Sequence, residues 1–263
     1  MPKNYNNNVQ GAGYINAVIP AKRDDEKNRV FFFEVNNTVT KTTYNVKVIA
    51  KDAAEADKFK AIGDECFENR RNAKNEGYEH KTHTMSFSGI FQPGKYNKDS
   101  QRTSPDTINA FKFELEPVLK DLKPADEKCE FAGNIMSIEE KDIKGKTALD
   151  VTIGVHFTVN EESKTEVINT LIFKNEKEGA FEQMKDIEKG DFIRIEGRMG
   201  SGNDRMYINP TSVTLLHKKG EKVAEAAEVK EAPKAAKAEK AEKKEAAEKK
   251  PAKHTSRKKG MSL

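Results

Sequence analysis

Ala12-Gly13-Tyr14-Ile15-Asn16-Ala17-Val18 returns further along the chain as Ala132-Gly133-Asn134-Ile135-Met136-Ser137-Ile138. The shared pattern is Ala-Gly-x-Ile-x-small-aliphatic. A second pair follows in the same order. Phe87-Ser88-Gly89-Ile90-Phe91-Gln92-Pro93-Gly94 matches Ile195-Glu196-Gly197-Arg198-Met199-Gly200-Ser201-Gly202. Gly13 and Phe87 are 74 residues apart, and Gly133 and Ile195 are 62 apart. Two matches in one order indicate a duplicated unit, with 12 extra residues inserted in the first copy.

Both copies show the same layout around these motifs. In the second, alternation of apolar and polar residues predicts strands near 130–139, 147–159, 165–174, 191–199 and 205–216. Leu149, Val151, Ile153, Val155 and Phe157 are apolar at every second position. Phe181, Met184 and Ile187 fall at helical spacing between the third and fourth strands. The first copy gives strands near 13–20, 29–38, 42–50, 83–92 and 107–118. Its helix, about 53–71, carries Phe59, Ile62, Cys66 and Phe67 on one stripe, and 72–81 supplies the extra length. Three strands, a helix and two strands is the order of an OB-fold, a five-stranded barrel. Gly13 and Gly133 would let the first strand of each barrel bend. The fold class expected is therefore all-β with capping helices: two tandem OB-fold barrels, 1–120 and 121–217, joined by a linker over 117–128. Residues 218–263 are an Ala-Lys-Glu tail that cannot bury a core, disordered or partly helical.

Charge is unevenly spread. The tail carries 15 Lys and Arg against 8 Asp and Glu, which leaves 32 against 35 of the chain's 47 and 43 for the rest. Any polyanion site on the barrels must be a local patch. Only 35% of residues are hydrophobic, which fits an unpacked segment. Two cysteines, Cys66 and Cys129, make neither a disulfide framework nor a zinc site. Residues 1–8 hold no apolar stretch, and no run reaches the roughly 20 apolar residues of a membrane span. A cytoplasmic protein without a membrane partner is expected.

Lys164-Thr165-Glu166-Val167-Ile168-Asn169-Thr170-Leu171-Ile172-Phe173-Lys174, followed by Glu188-Lys189-Gly190-Asp191-Phe192-Ile193-Arg194-Ile195-Glu196-Gly197-Arg198-Met199, resembles the bacterial single-stranded DNA-binding protein (SSB) family. The first copy is similar more loosely, through Lys41–Ile49 and Phe87–Phe91. The resemblance implies single-stranded DNA as partner and replication, recombination or repair as context. Two departures stand out. The family's stacking tryptophan after Thr-Glu is Val167 here, and Tyr44 in the first copy. The family's acidic tip is replaced by Arg257-Lys258-Lys259-Gly260. Phe173 matches the family's second stacking aromatic.

Such a site needs aromatic platforms and a cationic track. Phe31, Phe33 and Val35 face one side of a strand, and Phe32 faces the other with Val30 and Glu34. Phe32 either stacks on a base or packs under a neighbour. Lys47 and Asn45 would stand beside it. The long connection 92–105 offers Lys95, Tyr96, Lys98 and Arg102, and the connection before strand two offers Lys22, Arg23, Lys27 and Arg29. Tyr44 falls in the core by alternation and outside by the resemblance. The second copy offers Phe173, Lys174, Arg194, Arg198, Arg205 and Tyr207, with Phe173 open to a core role.

No catalytic constellation emerges, so a non-enzyme without cofactor or metal is expected. His80 and His83 have no third ligand, and Gly200-Ser201-Gly202 lacks the lysine and helix of a phosphate loop. Two other readings remain. One is a protein-interaction module of a replication or mobile-element complex, touching nucleic acid mainly through the basic tail. The other is an RNA-binding OB-fold protein. Replication or recombination proteins as partners, and a homo-oligomer, stay open.

Overall fold

The Ala-Gly-x-Ile motif sits where a strand changes partners. The computed structural model describes residues 6–221 apart from 22–28, 78–82, 99–100, 118–126, 160–161, 175–178 and 203–204. Strand β1 (Asn7–Pro20) pairs with β4 (Thr84–Gln92) up to Tyr14 and with β2 (Val30–Asn37) from Tyr14 on. Strand β8 (Lys128–Ile143) pairs with β11 (Phe192–Gly202) up to Asn134 and with β9 (Lys146–Val159) from there. The register slips at the same motif position in each, between Ile15 and Ala17 and between Ile135 and Ser137. The glycines allow the crossing. A Cβ on Gly13 would lie 2.7 Å from the Asn36 carbonyl oxygen, and one on Gly133 would lie 2.4 Å from that of Gly154. The second motif repeats the device, with bulges between Ser88 and Gly89 and between Glu196 and Gly197.

The first barrel runs β1-β2-β3-β7-β4 and returns to β1, where β3 is Thr42–Ile49 and β7 is Thr107–Glu116. It closes through a short parallel ladder, Val46 with Ile108 and Lys47 with Asn109. The second runs β10-β9-β8-β11-β12, where β10 is Glu162–Phe173 and β12 is Arg205–His217. Among the described residues its seam is bridged by a side chain rather than a ladder: Thr170 Oγ1 donates to the Ile208 carbonyl at 3.4 Å. Among the described residues the chain is thus all-β with two helices, arranged as tandem OB barrels. The expected character of the tail from residue 222 onward, and of linker residues 118–126, falls outside the described residues.

The barrels share one core. β1 and β8 pair antiparallel from Asn7–Phe131 to Gln10–Lys128. Gly13 and Gly133 are counterparts, so Val9 is paired with its own counterpart, Cys129, as across a local two-fold axis. Both are buried, and the Phe91 and Phe131 rings meet edge-on nearby with centroids 6.1 Å apart. Asn7 extends the ladder with its side chain. Its Nδ2 donates to the Phe91 carbonyl and its Oδ1 accepts from the Phe91 N–H, both at 2.8 Å.

Helix α1 (Ala53–Glu76) starts at Asp52, whose carboxylate accepts from the Glu55 N–H at 2.8 Å. It ends at left-handed Gly77. Residues 72–76, expected as connection, prolong the helix. Phe59 meets Phe31 and Phe33 edge-on at 5.3 and 5.1 Å, so strand alternation and helix stripe converge on one aromatic cluster. Phe67, expected on that stripe, is exposed, because it lies one residue past buried Cys66 and so about 100° round the helix. Helix α2 (Ala180–Gln183) is one turn, and Met184 and Ile187 are buried in the turns after it.

One carboxyl lies inside the junction. Glu127 is 3% exposed and accepts from Thr40 Oγ1 at 2.7 Å. Burial pushes its pKa above the ordinary value. As pH rises past that ordinary value the unfolded chain ionises first and the folded one still holds the proton. Stability therefore falls until the folded carboxyl also ionises. Glu127→Gln should remove this fall. The check is urea unfolding between pH 4.5 and 8, with the wild-type minus variant difference declining as pH rises. A flat difference would contradict it.

Candidate nucleic-acid interface

The first barrel shows an aromatic beside a cation on its outer face. Phe31 and Phe33 point into the core, and Phe32 points out, half-buried. Its register partners are Ile19 on β1 and Lys47 on β3. Lys47 in turn pairs with Asn109 of β7, whose Nδ2 donates to Gln92 Oε1 at 2.9 Å. Gln92 ends β4 and begins the long connection. The face therefore runs from Phe32 through Lys47 and Asn109 to the base of that connection. Glu34, the nearest acid on β2, accepts from Asn16 Nδ2 at 3.2 Å.

The connection is itself a small hairpin. Strands β5 (Tyr96–Asn97) and β6 (Arg102–Thr103) pair, and beneath them the Ser104 N–H donates to the Lys95 carbonyl at 3.0 Å while the Lys95 N–H donates to Ser104 Oγ at 2.8 Å. Tyr96, paired with Thr103, is 61% exposed, and Lys98 is exposed just beyond the paired residues. Arg102 is placed by its backbone opposite Asn97. Buried Asp106 anchors the root, accepting from the Gly94 N–H at 2.7 Å, the Met206 N–H at 2.8 Å and Arg205 Nη1 at 2.8 Å.

Several expected site residues have other employment. Tyr44 is fully buried, edge-on to Phe87 at 5.1 Å, and offers no ring face to a base. Burial raises its hydroxyl pKa far above the usual range. Its equation with Val167 was one residue out of register: Tyr44 points in and Val167 points out. Lys95 Nζ lies 3.1 Å from Glu166 of the second barrel, and Arg205 holds Asp106. Tyr207 stands opposite Gly200, so close that a Cβ there would meet its ring at 2.5 Å. Arg198 is exposed on β11, close enough to Glu127 for its charge to act on that carboxyl. Arg194 lies 3.0 Å from Glu130, and Lys174 sits over the Phe181 ring at 5.9 Å. Phe173 is partly exposed on the outer face of β10 with Val167 and Leu171. Lys22, Arg23, Lys27 and His80 lie outside the described residues, as does the Arg102 side chain. Arg29 donates to the Lys51 carbonyl at 2.6 Å. Among the described residues no group of His, Cys, Asp and Glu could hold a metal, and no helix is long and apolar enough to cross a membrane.

No protein-family model matches the chain, and no curated protein matches it in sequence. Among solved structures, the wild-type single-stranded DNA-binding protein from Thermus aquaticus superposes with a TM-score of 0.50 at 12% identity, over 82% of this chain and 95% of that one. A deletion variant of the same protein gives 0.52 at 12% identity, over 81% and 95%. The chain has a tandem OB fold. At that identity the likeness is one of fold.

Three exposed apolar side chains share the outer face with Phe32 in this tandem OB fold: Ile19, Ile49 and Phe111. Ile49 was visible by alternation as the outward neighbour of Lys47. Phe111 was not, because the ladder slips opposite it and the run Ala110-Phe111-Lys112-Phe113 changes phase.

Proposed function

We propose that the chain binds single-stranded DNA without catalysis and protects it in replication, recombination or repair in the cytoplasm. The observation that carries the reading is Phe32 beside Lys47 on the outer face of a closed barrel, continuous through Asn109 with the Tyr96 hairpin. A base stacks on Phe32, Lys47 and Lys98 neutralise phosphates, and released counterions make binding salt-dependent. The barrels of 1–120 and 121–217 divide the work: the first holds the strand, and the second braces the hairpin through Glu166 and Arg205. That the two superposed Thermus aquaticus chains are single-stranded DNA-binding proteins supports the reading.

A second reading has its own observation. Met136, Val167, Leu171 and Phe173 leave apolar surface on the second barrel, which suits a protein partner. Fluorescence anisotropy of labelled oligo-dT with the full chain separates the two, with duplex DNA and matched RNA as competitors. The expected result is preference for the single strand, DNA over RNA. The Phe32→Ala, Tyr96→Ala double variant should bind at least about 30-fold more weakly. Equal binding of duplex and single strand, unchanged in the variant, would leave the tail as the nucleic-acid contact and the barrels as a protein module.

A further inference from the structure

We infer that Phe111 is a second base-stacking platform of the first barrel, so that a bound strand crosses β2, β3 and β7 with Lys47 against its backbone. The inference rests on the reading of the Phe32 face given above. Phe111 is the extra residue of a bulge: Gly89 pairs with Ala110 and Ser88 with Lys112. Bulges re-aim side chains, and here the consequence is plain. Phe113 turns in, 5.8 Å from the Phe59 ring, and Phe111 turns out, 67% exposed. An outward phenylalanine in a small barrel forgoes the burial its ring would gain inside.

Its neighbours suit a base better than a protein. β3 and β7 run parallel, so two residues beyond the Lys47–Asn109 pair stand Ile49 and Phe111. Phe32 flanks Lys47 on the other side. Lys112 follows Phe111 in sequence, and Arg29 and Lys51 lie at the Ile49 end of the face. Aromatic faces alternating with cations are what a stacked, phosphate-bearing strand requires. From sheet spacings, two strand steps and two residues place the rings on the order of 12 Å apart. They take different bases. The barrel is convex there, so the strand bends round it.

The test uses the full chain and oligo-dT carrying a single 5-iodouracil, photocrosslinked and digested with trypsin. Cleavage places Phe111 in Thr103–Lys112, Phe32 in Val30–Lys41 and Tyr96 in Tyr96–Lys98. Adducts are expected on Thr103–Lys112 as well as on Val30–Lys41. Phe111→Ala should weaken oligo-dT binding about tenfold, with Phe111→Tyr restoring it. Phe111 is exposed, so the melting temperature should not move. Adducts on Val30–Lys41 alone, with Phe111→Ala at wild-type affinity, overturn the inference and leave the Phe32 reading standing. No adduct on any of the three peptides, with Phe32→Ala also at wild-type affinity, overturns both.

Discussion

Gly133→Ala should cost the protein about 3 kcal/mol or more and lower its melting temperature by on the order of 10 °C. A methyl group there would lie 2.4 Å from the Gly154 carbonyl oxygen and 2.9 Å from its carbon. Both are backbone atoms of β9, held in ladders with β8 and β10. Making room means pulling β9 away at the crossing where β8 leaves β11. The core on that side, Ile135, Val151, Ile153 and Ile195, is buried and would loosen. Because the two barrels share one cluster, the loss should appear as a single earlier transition, not as selective melting of one half. Gly154→Ala is the control. Its methyl would meet Met136 Sδ at 3.4 Å and Cγ at 3.7 Å, the end of a flexible, exposed side chain. Urea unfolding of both variants decides the matter. Equal midpoints for Gly133→Ala and wild type would mean that the crossing is not close-packed.

The same residues show why the barrel was legible. A glycine is needed where two ladders cross at less than a methyl's distance, and the bulge that follows is a local property of one strand. Both leave a mark in a short run of sequence, and duplication printed that mark twice. Alternation then located every strand of the two barrels, because a barrel has a wet and a dry face. What was hidden is non-local. Asn7 and Asn8 look like coil, yet β1 begins at Asn7, since β4 and β8 supply its partners. Plain alternation would put Phe111 and Phe113 on one face; the β7 bulge puts them on opposite faces by inserting one residue, and no count of polar and apolar positions dates that insertion. Tyr44 shows the opposite: alternation placed it in the core correctly, and a one-residue slip in the family alignment turned it outward. Charge was least legible. Lys95 and Arg205 read as a cationic track until their partners, Glu166 and Asp106, arrive from 71 and 99 residues away.

Asp106→Ala should lower stability by about 2–4 kcal/mol. Asp106 is the one described side chain that ties the hairpin root and β12 together through three hydrogen bonds, two of them from backbone N–H groups. Alanine strands the Gly94 and Met206 donors at a site where Asp106 itself is 5% exposed. Asparagine keeps one acceptor and turns an amide donor toward the others, so Asp106→Asn should fall between alanine and wild type. The Arg205 ion pair is half open to solvent and adds little on its own. The functional consequence follows from that assignment. If Arg205 is a brace, Arg205→Ala lowers the melting temperature slightly and leaves both oligo-dT affinity and its salt slope unchanged. Lys47→Ala, on an exposed sheet face, should leave melting alone, weaken binding, and reduce the slope of log K against log salt by about one. Titrations of the two variants at several salt concentrations compare them directly. A reduced slope for Arg205→Ala would return that residue to the phosphate track and make Asp106 its counterion in the free protein, released when a strand arrives.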